Sequence, residues 1–379
     1  MPACRVSEGA ILQSILAGFI ERIHMATARK SPLRLRGGGS KDWYGQSLQG
    51  EVLDTRSYTG VVDYEPTELV ITARCGTPLA EIEALLAQHG QMLAFEPPRF
   101  GQGGRAEAGA APLPGPRDGS TIGGVVAAGL SGPRRASAGA VRDFVLGAQL
   151  LDGRGEVLNF GGQVMKNVAG YDVSRLLAGS LGTLGLIAQV SLKVLPLPPR
   201  EATIRFEMDE IGALRYLNEW AGQPLPISAS CWRQGVLTLR LSGADAAVEA
   251  ALRRLGGAQM KEGGAFWTSL RDQTHEYFSG GALWRLALPS AASAQVLRGE
   301  QLIEWGGAQR WLKAADGDAE RIRRSVAAAG GHATLYRRDA APQDALSVFH
   351  PLQPALARIH ERLKLAFDPA GIFNPGRMY

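Results

Sequence analysis

Residues Lys166–Leu186 have the sequence KNVAGYDVSRLLAGSLGTLGL, and this stretch decides the fold of the first half of the chain. Asp172 is a favourable N-cap for a short helix over Val173–Ala178, and Gly179 is a residue type that ends such a helix. Alternating apolar residues then predict a strand over Ile187–Val194. The stretch therefore predicts a short helix, a glycine-rich turn and a strand in succession.

Glycine recurs at every third position of that turn, at Gly179, Gly182 and Gly185. Without side chains, these residues leave their backbone N–H groups accessible to a ligand. Ser180 and Thr183 add hydroxyl donors. The turn therefore predicts a surface against which a large flat ligand can lie.

Two further glycine-rich stretches lie upstream, GSTIGGVVAAG at 119–129 and RGGGSK at 36–41. The latter follows a strand predicted over Pro32–Arg36. A strand that enters a glycine turn forms a concave set of N–H donors for phosphate oxygens, and Lys41 adds a cation. It is not a Walker A motif, because Ser40 precedes Lys41, and no Gly-x-Gly-x-x-Gly opens a βαβ unit. A plain tight turn explains this loop alone, but three such stretches predict a ligand with several parts.

Between these stretches the sequence predicts regular elements. They are a helix through Glu81–His89, a strand over Met92–Phe95, a helix over Ile122–Leu130 capped by Ser120, and a hairpin of Phe144–Leu151 with Glu156–Phe160. Near the N-terminus, apolar residues between Ile11 and Ile23 recur on one helical face, without the basic start of a signal peptide, and predict an amphipathic packing helix. No stretch approaches the ~18 apolar residues of a membrane span.

Composition limits the class of protein. The 379 residues are 45 % hydrophobic, enough for about two or three domains. The net charge of +5 is mild and its arginine pairs are scattered, which indicates solvated faces or a surface for an acidic partner, and not a nucleic-acid site. Cys4, Cys75 and Cys231 lie far apart, so no disulfide framework, metal site or iron–sulfur cluster of this chain alone is predicted. This cysteine usage favours the cytoplasm.

The ordered motifs RLRGGGSKDW, GSTIGGVVAAGLSGPRR, GAVRDFVLGAQLLDGRGEVLNFGGQVMKNVAGYD and GSLGTLGLIAQVSLKVLP resemble the vanillyl-alcohol-oxidase-type (PCMH-type) flavoproteins. Within that family, the FAD-binding subunits of bacterial glycolate oxidases are the more similar group. The resemblance covers roughly residues 5–197, and FDPAGIFNPG at 367–376 is similar to the family's C-terminal return segment. It implies an α+β fold, with a PCMH-type FAD-binding domain of two subdomains at 1–197. A ferredoxin-like antiparallel cap domain at 198–340 and a returning segment at 341–379 follow.

The resemblance also implies the residues that bind FAD. Those along the pyrophosphate would be Gly37, Gly38, Gly39, Ser40 and Lys41. Those along the ribityl and phosphate region would be Gly119, Ser120, Thr121, Gly123 and Gly124, and those along the adenine and ribose would be Gly182, Thr183, Gly185 and Ile187. Residues 166–171 would approach the isoalloxazine. Some relatives attach FAD through a His where this chain has Ser40, so non-covalent FAD is expected. Asp143 is either a ligand contact or a charge at a strand end.

The pattern of predicted strands and helices changes after Ala202. Its pattern predicts the order β-α-β-β-α-β twice, with the first helix of the second copy over Ala291–Leu297. The two copies agree in pattern and not in sequence. They predict one antiparallel sheet with helices on a single face, and the resemblance implies that this cap covers the flavin and supplies a substrate pocket.

Oxidation of a 2-hydroxy acid needs a base for the hydroxyl proton and a cation for the carboxylate. None of the six histidines lies in a His-x-His pair or in the Glu-His-Gly context of catalytic relatives. His332, at the start of the last predicted cap strand, is a weak candidate base. Arg233, Arg285 and Arg337 could clamp an anion or could be ordinary surface residues.

Three hypotheses for function follow. The first is an FAD-binding subunit of a glycolate oxidase, beside a paralogous catalytic flavin subunit and an iron–sulfur subunit. Such a complex would be cytoplasmic, and peripheral on the inner face of the membrane if it associates there. The second is a self-sufficient FAD-dependent D-2-hydroxy-acid dehydrogenase that uses His332 or His350 as its base. The third is a structural subunit without a functional flavin. The glycine loops weigh against the third hypothesis, and the missing acid–base motif weighs against the second.

Overall fold

The computed structural model describes residues 3–100, 119–162, 172–295, 297–338 and 346–378. The helices are α1 (Ala3–Arg29), α2 (Leu79–Gln88), α3 (Ile122–Ala128), α4 (Arg135–Ala138), α5 (Val141–Phe144), α6 (Val173–Leu176), α7 (Glu210–Ala221), α8 (Asp245–Leu255), α9 (Gly263–Arg271), α10 (Ala319–Ala328) and α11 (Pro354–Phe367). The strands of the first half are β1 (Leu33–Arg36), β2 (Glu51–Asp54), β3 (Val61–Glu65), β4 (Val70–Arg74), β5 (Gln91–Met92), β6 (Val145–Leu151), β7 (Val157–Gly161), β8 (Leu186–Lys193) and β9 (Leu195–Pro196). Those of the second half are β10 (Arg200–Glu207), β11 (Ile227–Arg233), β12 (Val236–Gly243), β13 (Ala258–Gln259), β14 (Leu283–Ala287), β15 (Glu300–Glu304), β16 (Gln309–Lys313) and β17 (His332–Arg337).

The first half is built on a five-stranded antiparallel sheet in the order β3-β4-β8-β6-β7. Its core includes Leu86 of α2, Val125 of α3 and Val190 of β8, all fully or almost fully buried. A separate parallel pair, β1 and β2, precedes the sheet. Helix α1 packs Phe19 and Ile23 into a smaller core beside this pair, which confirms the predicted packing helix.

Two local predictions for this half were inexact. Strand β5 ends at Met92, because the chain turns where the N–H of Glu96 donates to the carbonyl of Leu93. Helix α3 is capped by Thr121, whose hydroxyl accepts the N–H of Gly124, and not by Ser120. The Ser120 hydroxyl lies instead against the loop at 36–41.

The second half forms one eight-stranded antiparallel sheet in the order β13-β10-β12-β11-β15-β16-β14-β17. Each half of that order is the 4-1-3-2 arrangement of a ferredoxin-like unit, and the two units meet edge to edge where β11 pairs with β15. The predicted α+β class with a ferredoxin-like antiparallel cap is therefore confirmed. Helices α7, α8 and α10 pack on one face, and their positions agree with the sequence pattern.

The second ferredoxin-like unit departs from the expectation, because the predicted helix over Ala291–Leu297 does not form at 291–295. The fully buried guanidinium of Arg310 donates to the carbonyls of Ala292 and Ser293 at 2.7 and 3.0 Å. These carbonyls satisfy a buried charge, and the segment remains irregular. Helix α9, which the sequence pattern did not predict, covers the opposite face of the sheet with Trp267.

Glu96 links the two halves. It lies after β5, and its carboxylate pairs with Arg134 after α3 and with Arg240 on β12, at 3.3 and 2.9 Å. The indole N–H of Trp305 also crosses the interface, to the carbonyl of Gly132. The face of the cap sheet opposite α7 and α8 therefore lies against the first half. The boundaries predicted at 197 and 340 stay predictions.

Candidate functional site

The loop at 36–41 and the loop at 119–124 meet through side chains. The hydroxyls of Ser40 and Ser120 lie 3.0 Å apart. The Nζ of Lys41 donates to both, at 3.1 and 3.2 Å. Residues 80 positions apart in sequence thus form one cluster of hydroxyl and ammonium donors.

The backbones of these two loops are also in direct contact, which explains their glycines. A Cβ on Gly38 would lie 1.3 Å from the carbonyl oxygen of Gly119, and a Cβ on Gly37 would lie 2.2 Å from the Thr121 hydroxyl. No side chain fits there. Glycine at both positions is therefore required by the loop-to-loop approach itself.

The third loop, after α6, docks on the end of α3. The N–H groups of Gly179 and Leu181 donate to the carbonyls of Val126 and Ala127, at 3.0 and 2.8 Å. Gly182 has φ +71°, a conformation that favours glycine. All three glycine-rich stretches thus converge on one place.

A small cavity of about 70 Å³ lies between the three loops. Of the predicted FAD contacts, its lining includes Gly37, Gly123, Gly124, Gly182, Gly185 and Ile187. A larger cavity of about 440 Å³ lies on the cap side of the first loop, and its lining includes Trp43, Gly45, Phe100 and Tyr336. The segment from Arg36 to Gly45 borders both cavities.

The donor set at these loops fits FAD. Small-molecule sites usually measure about 300–1,000 Å³, so the 70 Å³ space can hold only part of a dinucleotide. Glycine amides, two hydroxyls and an ammonium suit diphosphate oxygens. In the second loop, the N–H groups of Gly123 and Gly124 already donate to the Cys75 carbonyl and the Thr121 hydroxyl. The carboxylate of Asp42 is held away from the cluster by Arg34 and Arg36, at 2.6 and 2.7 Å. Burial raises the pKa of Cys75, also in the lining, to about 12, so its thiol stays protonated.

Other predicted site residues lie in different settings. The carboxylate of Asp143 accepts the N–H of Ala140 and caps the short helix α5. The hydroxyl of Thr183 donates to the carbonyl of Ser180 at 2.8 Å. Residues 166–171, expected near the isoalloxazine, lie outside the described residues. Contacts of these residues, and of all the other predicted residues, with FAD stay predictions.

The cap contributes three arginines that could bind an anion and one histidine that could act as a base. Arg233 is already paired with Glu276 and Glu300. The guanidinium of Arg337 donates to the carbonyl of Phe278. Arg285 donates only to the Gln309 side chain at 2.8 Å among the described residues.

His332 is exposed at the start of β17. Desolvation by the surrounding chain, followed by the positive charges of Arg285, His350 and Arg135, lowers the pKa of His332. It is not among the described residues that line the larger cavity, and no histidine is. Within the described residues, no group of three His, Cys, Asp or Glu side chains is placed to hold a metal ion.

Several residues near the site were not predicted from the sequence. Asn374 accepts the N–H of Leu35 and donates to the carbonyl of Leu181, so it fastens the first loop's strand to the third loop. Its motif, FDPAGIFNPG, was recognised only as a returning segment. Trp43 and Tyr336 lie edge to face, 5.1 Å between ring centroids, and bring the first loop against the cap. No spacing in the sequence links two residues so far apart.

Comparison with known proteins agrees with this geometry. Residues 17–161 match a family model described as "FAD binding domain". Solved structures of alkyldihydroxyacetonephosphate synthase superpose with a TM-score of 0.60 over 94 % of this chain and 73 % of that chain, at 14 % identity, which shows the shared fold alone. The fold, the glycine loops and the family match define an oxidoreductase of the PCMH-type FAD-binding class, with FAD as cofactor.

The glycolate oxidase subunit GlcE of Escherichia coli (strain K12) is 47 % identical over 364 residues, 95 % of this chain and 96 % of that protein. The chain therefore belongs to the family of GlcE-type glycolate oxidase subunits. Glycolate oxidase subunit GlcD of Bacillus subtilis is 37 % identical, over 25 % of this chain and 20 % of its own length. D-lactate dehydrogenase of Archaeoglobus fulgidus is 29 % identical over 46 % of this chain and 35 % of its own length.

Proposed function

We propose that this chain is the FAD-binding subunit of a glycolate oxidase complex that converts a 2-hydroxy acid to a 2-oxo acid. It would hold FAD without a covalent bond and support electron transfer to an iron–sulfur subunit. The observation on which this rests is the convergence of three glycine loops around one donor cluster, in a chain that covers 96 % of a GlcE subunit. FAD, when bound, supplies two-electron acceptor and one-electron donor chemistry.

The loops and the two cavities suggest how the cofactor would be held. Glycine amides of the first and second loops, with Lys41, Ser40 and Ser120, would bind the diphosphate. The small cavity would take part of the adenosine side, and the larger one would take the ring. Trp43 and Tyr336 would enclose that ring and keep water from it.

The surroundings of Ser40 disfavour a covalent bond between this residue and FAD. Its hydroxyl lies within 3.0 Å of another hydroxyl and 3.1 Å of an ammonium group. No base is seen beside it in the described residues, and a serine hydroxyl without a base is a weak nucleophile. Ser40 would therefore hydrogen-bond to the cofactor and leave it removable by acid.

The residues around the larger cavity do not favour substrate oxidation by this chain alone. None of the described residues around the larger cavity is a histidine, and Asp272, its one carboxylate among them, pairs with Arg271 at 2.7 Å. A general base must lie within hydrogen-bond reach of the proton it removes. We therefore assign substrate oxidation to a paralogous flavin subunit, and to this chain the binding of FAD.

Assembly with other subunits is supported by helix α11. Leu356 and Ile359, three residues apart on this helix, are 44 and 53 % exposed. An apolar stripe on an exposed helix indicates a protein interface. Among the described helices, none is both long and apolar enough to cross a membrane. We propose that the complex is cytoplasmic and reaches the inner face of the membrane only peripherally, through its partners.

Purification of the chain alone and together with its neighbouring subunits tests this function. The chain alone should be yellow, should release its flavin in acid, and should not bleach when glycolate or D-lactate is added without oxygen. Bleaching should require the paralogous flavin subunit. Anaerobic bleaching of the chain alone would favour instead the self-sufficient D-2-hydroxy-acid dehydrogenase.

A further inference from the structure

Arg377, in the segment after α11, is buried against the first glycine loop and is only 5 % exposed. Its guanidinium Nη2 donates to the backbone carbonyls of Lys41 and Asp42, at 3.2 and 2.9 Å. Its Nη1 donates to the carbonyl of Gln46 at 2.5 Å. In return, the backbone N–H of Gln46 donates to the carbonyl of Arg377 at 3.0 Å. One side chain thus holds three carbonyls of the segment that carries Lys41 and Trp43.

The conformation of this segment depends on such contacts. Residues 37–50 lie between β1 and β2 and consist of turns and irregular backbone. Buried carbonyls outside a helix or a sheet need other hydrogen-bond donors. The planar guanidinium of an arginine presents several N–H donors in a fixed arrangement, so it can satisfy carbonyls that converge from different turns. Gly45 permits this approach, because a Cβ there would lie 3.0 Å from the Nε of Arg377.

Arg377 is itself held in place by contacts that do not use its side chain. The N–H of Leu33 donates to the carbonyl of Ile372 at 2.7 Å, and the N–H of Asn374 donates to the carbonyl of Leu33 at 2.9 Å. The N–H of Arg377 donates to the carbonyl of Asn374. The backbone at 372–377 is therefore fixed beside β1, and a substitution of the Arg377 side chain should leave it in place.

The backbone that Arg377 holds also determines where the Lys41 ammonium lies. The carbonyl of Lys41 accepts from Arg377, while its Nζ donates to the hydroxyls of Ser40 and Ser120 at 3.1 and 3.2 Å. A lysine side chain has a flexible four-carbon stem, so it keeps one direction only when its backbone and its hydrogen-bond partners are fixed. Arg377, 336 residues further along the chain, supplies the backbone part of that restraint.

We propose that Arg377 is a positioning residue for the FAD site. It acts by holding the backbone of residues 41–46, so that the ammonium of Lys41 faces Ser40 and Ser120. Because its guanidinium is engaged by backbone carbonyls, it affects the cofactor through Lys41 and not by a contact of its own. The effect on FAD rests on the proposed function, whereas the effect on Lys41 does not.

Labelling of lysine amines in the FAD-stripped full-length chain tests the positioning directly. The chain is treated briefly with an acetylating reagent, and peptide mass spectrometry measures the rate at each lysine. Arg377→Gln should raise the rate at Lys41 at least about fivefold, and Arg377→Lys, which keeps the charge but loses the planar donors, should fall between. Lys261, exposed on the cap, is the internal control and should not change. An unchanged rate at Lys41 in Arg377→Gln would overturn the proposal.

Fluorescence titration of the stripped variants with FAD tests the route through Lys41. Arg377→Gln alone should raise the Kd for FAD about tenfold, but less than about threefold when Lys41→Met is already present, because the group that it positions is then gone. Equal factors in the two backgrounds would show that Arg377 only stabilises the chain in general, and would overturn the proposal. Arg362→Gln, an exposed change on α11, is the matched control and should alter the Kd less than about twofold.

The two measurements separate this inference from the proposed function. A parent chain that binds no FAD would contradict the proposed function, while the labelling of Lys41 would still decide the positioning. Normal FAD binding by the parent, with unchanged labelling of Lys41 in Arg377→Gln, would overturn the inference alone. Circular dichroism spectra confirm that the variants are folded, and Arg377→Lys takes the place of Arg377→Gln in both measurements if the latter does not fold.

Discussion

The Nζ of Lys41 lies 3.2 Å from the Oγ of Ser120, and this contact joins the first and second glycine loops. Ser40 completes the cluster from the first loop. The contact places the cation at the meeting point of the two glycine loops. Diphosphate binding at this point would use the ammonium and the amides together.

Removal of the ammonium should weaken FAD binding. Lys41→Met keeps most of the aliphatic stem but loses the charge-assisted hydrogen bonds, each worth about 1.5–3 kcal/mol, so the Kd for FAD should rise about 10- to 100-fold. Fluorescence titration of the FAD-stripped chain measures this. Lys261→Met, an exposed change on the cap, is the matched control. Equal Kd values for the two variants would contradict a role for Lys41.

Gly38 of the first loop should not tolerate substitution by alanine. Gly38→Ala would put a methyl group 1.3 Å from the Gly119 carbonyl oxygen, so the loops must separate. Overpacking of this kind costs about 1–3 kcal/mol, and FAD occupancy should fall as well. Gly264→Ala, on helix α9 with open space around it, should be neutral or slightly stabilising. Thermal unfolding and flavin content of both variants give the comparison, and a neutral Gly38→Ala would disprove the close approach.

The interface between the halves should depend on Glu96. Glu96→Gln leaves the buried guanidiniums of Arg134 and Arg240 without their shared carboxylate, a loss of about 3 kcal/mol in the free energy of unfolding. Glu219→Gln, in an exposed pair with Arg215 at 3.8 Å, should cost less than about 0.5 kcal/mol. Denaturant unfolding compares them. If both changes had the same small effect, the buried network would not hold the halves together.

Glu304 should make stability depend on pH. Burial raises the pKa of Glu304 from 4.5 to about 7, with partial compensation from hydrogen bonds to Trp311 and Gln309. Because the folded pKa is the higher one, the folded chain retains a proton that the unfolded chain releases. This contribution to stability is complete below about pH 4.5 and is lost as pH rises through 7.

Glu304→Gln should therefore remove that dependence. Both hydrogen bonds reach one carboxylate oxygen, which the amide oxygen can replace. The gain in stability from the change should be on the order of 2–3 kcal/mol larger at pH 8 than at pH 5. Denaturant unfolding at both pH values measures it, with the exposed Glu320→Gln as control. A gain of the same size at both pH values would mean that Glu304 is ionised throughout.

The apolar stripe of Leu356 and Ile359 on α11 should be needed for assembly. A Leu356→Glu, Ile359→Glu double variant should reduce co-purification with the other subunits while FAD content is unchanged, because charges replace an apolar contact. Ile211→Glu, at a 70 % exposed position on α7, is the control. Undiminished co-purification of the double variant would show that the stripe is not the interface.

Local pattern predicted much of this fold. Periodicity located α2 to within two residues at each end and identified α1, although α1 extends well beyond the apolar run between Ile11 and Ile23. The repeated β-α-β-β-α-β order predicted the cap sheet. The pattern failed at 291–295, within the helix predicted over Ala291–Leu297, where apolar residues and alanines favour a helix. The backbone carbonyls there bind the buried Arg310, and a contact between separate elements cannot be read from a local window.

The sequence predicted the glycine loops of the candidate site but not all of the residues around them. Glycine spacing located the loops, because close approach of backbones requires glycine itself. Asn374 was missed, because it has no sequence spacing in common with the distant Leu35 and Leu181 to which it hydrogen-bonds.

The flavin content of the purified full-length chain tests the central claim most directly. We predict one FAD per chain by absorbance, released by acid and regained after incubation of the stripped chain with FAD and desalting. A preparation that stays colourless after incubation with excess FAD would contradict the claim that the three glycine loops bind this cofactor.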